Sequence, residues 1–76
     1  MGSLTVHVLD DDENPVSGEK VFCNFSGFTH SEEYTDDQGI AEFDDVPVCD
    51  VAVYVSGKKI EVSVGQNDHE DVTFTI

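Results

Sequence analysis

Residues 35–43 read TDDQGIAEF, and their reading decides the fold. Thr35, Asp36 and Asp37 carry short side chains whose oxygens can bond nearby backbone N–H groups, which favours a turn over a regular element. Gly39 closes that turn, because so tight a reversal calls for a positive φ that a side chain would resist. Ile40 to Phe43 then begin a strand with Ala41 and Phe43 on one face. A turn followed at once by period-two alternation belongs to a β protein built of short strands.

The alternation recurs on both sides. Leu4, Val6 and Val8 share one face of a strand over residues 4–9, and His7 lies on the other. Residues 10–15 form a polar loop ending in Asn14-Pro15, a turn-initiating pair. Val21, Cys23 and Phe25 face inward on the next strand, with Phe22 and Asn24 opposite. Gly27 breaks or bulges that strand, Phe28 folds back over the core edge, and residues 32–35 form a short charged edge strand. Residues 44–48 connect to a strand with Val51, Val53 and Val55 inward. Ser56-Gly57-Lys58 signals a hairpin, and Ile60, Val62 and Val64 repeat the inward pattern. Residues 65–71 read as a polar loop, before Val72, Phe74 and Ile76 close the core. Six to seven short strands and no sustained helical period predict an all-β fold, a seven-stranded antiparallel Greek-key sandwich. Residues 1–3 read as an N-terminal remnant or tail, and residues 4–76 as one domain.

Charge sets the function classes. The 76 residues carry 17 acidic side chains against three basic ones (Lys20, Lys58 and Lys59), for a net charge of -14. Repulsion on this scale destabilises a compact chain in dilute buffer. At about 1 M salt the Debye length falls to roughly 3 Å and that repulsion is screened. The composition therefore points to a protein adapted to high salt; the alternative is an acidic surface for a basic partner or a cation. Nothing in it neutralises phosphates, so nucleic-acid binding is not expected. No basic-then-apolar leader and no apolar run of about 20 residues is visible, so no membrane insertion is expected. Localisation stays open.

Two stretches carry a family resemblance. LTVHVLDDDENPVSGEKVFC (residues 4–23) runs strand, acidic loop, N-P-V-x-G, strand. YTDDQGIAEFDDVPVCDVAVYV (residues 34–55) runs T-D-x-x-G-x-A-x-F, then D-V-P, then alternating valines. Together they resemble the carboxypeptidase regulatory-like domain, over residues 4–76. That resemblance implies a transthyretin-like, or prealbumin-like, sandwich of the immunoglobulin-like kind. It assigns structural roles to Pro15, Gly18, Thr35, Asp36, Gly39, Ala41, Phe43 and Pro47. Where such domains carry a glycine after the proline and an aromatic two residues later, this chain has Cys49 and Val51. A transthyretin-like fold is also that of hydroxyisourate hydrolases, which the resemblance would mark by arginine, several histidines and a C-terminal Y-R-G-S-type tetrapeptide. This chain has no arginine and ends in T-F-T-I. Related stalk modules cross-link a lysine of the first strand to an asparagine of the last, and both are missing from those strands.

The chemistry-bearing residues are few. Cys23 and Cys49 can form one disulfide, stand as two small buried thiols, or join a histidine at a metal; their spacing is not that of a zinc pair. His7, His30 and His69 could meet only through tertiary structure; His7 reads as solvent-facing, and His30 and His69 as residues of polar loops. Asp10, Asp11, Asp12, Asp36, Asp37, Asp44 and Asp45 are the candidates for calcium, which takes about 6–8 oxygens. They lack the spacing of a dedicated calcium loop, and a solvated acidic surface is the plainer reading. The leading expectation is thus a non-catalytic accessory or interaction module, monomeric, without cofactor. It would present loops or a sheet edge to a protein or carbohydrate partner, or belong to a larger parent chain. The alternative is a calcium-dependent adhesive or stalk module.

Overall fold

The computed structural model describes residues 1–27 and 29–76; the expectation for Phe28 lies outside them. The strands are β1 (Gly2–Leu9), β2 (Lys20–Phe25), β3 (His30–Tyr34), β4 (Ile40–Val46), β5 (Cys49–Val55), β6 (Lys58–Val64) and β7 (His69–Thr75). They form a three-stranded sheet, ordered β4-β1-β7, and a four-stranded sheet, ordered β3-β2-β5-β6. β1 pairs antiparallel with β4 and parallel with β7, while the four-stranded sheet is antiparallel throughout.

The core lies between the sheets and follows the alternation. Leu4, Val6, Val8, Ala41, Phe43, Val46, Val72 and Phe74 of one sheet pack on Val21, Cys23, Phe25, Val51, Val53, Val55 and Val64 of the other. β-Branched side chains suit this role because they fill a pleated, half-buried surface. β3 contributes no buried residue, and its sequence HSEEY suits an exposed edge that must resist pairing with another chain.

The opening stretch is the junction between the two sheets. Asp36 Oδ1 accepts the N–H groups of Gln38 and Ile40 at 2.8 and 3.0 Å, closing the turn. Gly39, at φ 73°, lies against the Val8 carbonyl, the Pro15 side chain and the Val16 backbone nitrogen. Thr35 is buried, and its hydroxyl donates to the Val16 carbonyl at 2.7 Å and accepts the Glu19 N–H at 2.9 Å. Asp10 performs the same service in the β1–β2 loop, with Oδ1 accepting from Asp12 and Asn14, each at 2.9 Å.

Several boundaries differ from the sequence-based expectation. β1 starts at Gly2, since Gly2 and Ser3 continue the ladder against Val46 and His69. Residues 44–46 belong to β4 and contain a bulge: Gly2 and Leu4 face Val46 and Phe43, and Asp45 takes φ 54°. The extra residue relieves the mismatch and bends the strand. His30 and His69 are strand residues rather than loop residues, each held by a ladder partner, Asn24 and Ser3 respectively. Gly27 lies in the turn beyond β2. Ile60 is exposed and Val62 half-buried, because β6 is an edge strand that the narrower opposing sheet does not fully cover. The two cysteines are free, Cys23 buried and Cys49 half-buried. Cys23 pairs with Val53, four residues along β5 from Cys49, a separation of about 13 Å against the 7 Å or so a disulfide tolerates.

Candidate functional site

The acidic candidates divide between the two ends of the sandwich. Asp10, Asp11 and Asp12 follow β1 at the end where Asp36 and Asp37 precede β4, whereas Asp44 and Asp45 occupy the opposite end. Asp10 and Asp36 already direct an oxygen at two backbone N–H groups each. Among the described residues no group of three or more His, Cys, Asp or Glu side chains is disposed to hold a metal ion.

The outer face of the three-stranded sheet gathers a hydroxyl–imidazole–carboxylate row. Parallel pairing of β1 with β7 sets Ser3 beside His69 and Thr5 beside Asp71. Ser3 Oγ lies 2.6 Å from His69 Nδ1, and Thr5 Oγ1 lies 3.2 Å from His69 Nε2. Asp71 Oδ1 stands 3.4 Å from His69 Nε2 and 3.9 Å from His7 Nε2. One neutral tautomer satisfies the set: the Ser3 hydroxyl donates to Nδ1, and the Nε2–H points to Thr5 and Asp71. A hollow of about 420 Å³ adjoins the row, lined by Gly2, Ser3, Asp44, Asp45, Asp68 and His69 among others. Sequence reading missed this row because its two hydroxyls, Ser3 and Thr5, are 66 and 64 residues from His69.

The outer face of the four-stranded sheet has another character. Phe22 sits at its centre on β2, stacked on His30 of β3 with ring centroids 5.3 Å apart and tilted against Tyr54 of β5 at 5.9 Å. Tyr34 extends the aromatic surface and is 64% exposed. Two of the three lysines lie on this face, each held by a carboxylate: Lys20 by Glu32 at 3.3 Å, Lys59 by Glu61 at 2.9 Å. The Glu61 hydrogen bond and charge hold the Lys59 ammonium above the usual lysine range. Asp50 accepts the Ser63 hydroxyl at 2.7 Å. Two lysines against Glu32, Glu61 and Asp50 leave a net -1 on a molecule of -14. A shallow groove of about 330 Å³ runs from Asn24 and Ser26 past Ala52 and Tyr54 to Lys59 and Glu61.

No family model matches the chain, and no curated protein matches it. Solved structures do. The 5-hydroxyisourate hydrolase of Klebsiella pneumoniae superposes with a TM-score of 0.81 at 22% identity, covering 100% of this chain and 90% of the hydrolase. The TIE protein of Bacillus anthracis superposes at 0.71 and 24% identity over 97% of this chain, which spans 16% of that protein. The first match corrects the expectation that the chain is not an enzyme: along its whole length it shares its architecture with a hydrolase. At these identities the likeness is one of fold, and it agrees with the strand order and core described above: the chain has the transthyretin-like β-sandwich fold.

Proposed function

We propose that the chain is a recognition module working in concentrated salt, with the outer face of the four-stranded sheet as its binding surface. The observation that carries this reading is the cluster of Phe22, His30 and Tyr54 on a face nearly free of net charge, in a molecule that is acidic elsewhere. The 17 acidic side chains all lie among the described residues and none of them is buried, so their repulsion is open to screening by dissolved salt. The test is site-specific cross-linking at high salt, with a photoreactive phenylalanine at position 54 and a control at Thr73 on the opposite sheet. Adducts at position 54 alone are expected; none, or equal yields at both positions, would refute the reading.

A second reading is carried by the Ser3–His69–Asp71 contacts and by the hydrolase among the structural neighbours. A neutral imidazole whose acceptor nitrogen faces a hydroxyl can serve as a general base. Under this reading His69 takes a proton from the Ser3 hydroxyl or from a water in the adjoining hollow and returns it to the leaving group. The assay is consumption of 5-hydroxyisourate above its spontaneous rate. Turnover lost in His69→Ala, with an unchanged circular dichroism spectrum, is the expected outcome; turnover equal to buffer refutes it.

A further inference from the structure

Where salt is molar, attraction between exposed charges dies within about 3 Å, so recognition has to rest on uncharged contacts. The face around Phe22 is built for such contacts. We propose that it binds a neutral glycan, laid along the groove over β2 and β5 with one sugar ring stacked on Tyr54 and its neighbour against the edge of the half-buried Phe22 that adjoins it; this rests on reading the face as the recognition surface.

Three features select that chemistry. First, Phe22, His30 and Tyr54 form one continuous aromatic surface rather than separate rings, and the C–H face of a pyranose packs on such a surface. Second, the rings are bordered by groups suited to hydroxyls. The Asn24 amide both donates and accepts, Asp50 and Glu61 accept, and Lys59 donates. Third, the local charge suits a neutral partner. Glu32 and Glu61 are already engaged by Lys20 and Lys59, which leaves Asp50, bonded to the Ser63 hydroxyl, as the one carboxylate of the groove without a lysine partner among the described residues. A protein docking through hydrophobic contacts would need a broad apolar patch, whereas among the described residues Tyr34 and Tyr54 are the exposed large hydrophobic residues on this face.

The experiment is a titration of isotope-labelled protein, followed by amide and aromatic NMR shifts, with cellohexaose, xylohexaose and mannohexaose as probes. Saturable shifts confined to Phe22, Asn24, Ala52, Tyr54 and Glu61 are expected with at least one probe. Tyr54→Ala and Phe22→Ala should each weaken binding roughly tenfold, as loss of one stacked ring implies, while Tyr54→Phe retains it. Binding should change less than about twofold between about 0.5 and 3 M KCl, since no net charge is engaged. Failure to shift with all three probes, or shifts centred on the His69 row, overturns the inference. If the probes fail while cross-linking at position 54 captures a protein, the glycan is refuted and the recognition face survives. If both fail, the face has no such role.

Discussion

A methyl group at position 39 has no room. An added Cβ would lie 2.7 Å from the Val8 carbonyl oxygen and 3.0 Å from the Val16 nitrogen, and φ is 73°. Gly39→Ala is therefore expected to cost about 1–3 kcal/mol from backbone strain alone, with the contact adding to it, measured by urea unfolding in concentrated KCl. Thr35→Val keeps the shape but leaves the Glu19 N–H and Val16 carbonyl without their side-chain partner. It should cost about 1–3 kcal/mol in the same assay. The cysteines differ in a measurable way. Burial pushes the Cys23 thiol from 9.0 up to about 12. An unfolded chain loses that proton near pH 9 while the folded chain keeps it. This contribution to stability is thus complete below about pH 9 and is lost as pH rises toward 12. In native protein at neutral pH, a thiol reagent followed by mass spectrometry should label Cys49, whereas Cys23 should react only as the sandwich opens.

Among the elements, β4 carries the least regular geometry. Its bulge places Asp45, a residue with a side chain, at φ 54°. Asp45→Gly should be neutral or stabilising by up to about 1 kcal/mol, and Asp45→Val should destabilise by about 1–2 kcal/mol, since a β-branched residue resists this region most. The β5–β6 hairpin shows the opposite case, in which local sequence suffices. Ser56 and Gly57 take φ 49° and 77° between the paired Val55 and Lys58, the two-residue turn whose twist matches its strands. The edge strands differ in how they are guarded. β3 presents Glu32 and Glu33, while β6 presents Lys58, whose ammonium reaches across to donate to the Thr75 carbonyl at 2.6 Å.

On the scale of the whole molecule, a net charge of -14 sets self-repulsion against the limited core of a 76-residue sandwich. KCl at about 2 M should raise the melting temperature strongly, in a manner that follows screening rather than saturation. Millimolar CaCl₂ should do no more than equal MgCl₂, since a binding ion would stabilise by mass action and saturate. Saturable stabilisation by calcium alone would return the functional site to the acidic loops.

The inward faces were legible from sequence alone. Leu4, Val6 and Val8, or Val51, Val53 and Val55, reveal a strand and its buried side through a period of two, which needs no knowledge of neighbours. The turn at residues 35–39 was legible for the same reason, because Asp36 bonds within its own turn. Tertiary structure alone decided which strands lie side by side. Parallel pairing of β1 with β7 brings Ser3 to His69, and the order β3-β2-β5 brings His30 and Tyr54 to Phe22. Ser3 and His69, and Phe22 and Tyr54, are remote along the chain, and their meeting follows from closure of a common core, whereas His30 reaches Phe22 across the short β2–β3 connection. The exposure of Ile60 and the bulge at Asp45 belong here too, since each records how one sheet covers or matches another.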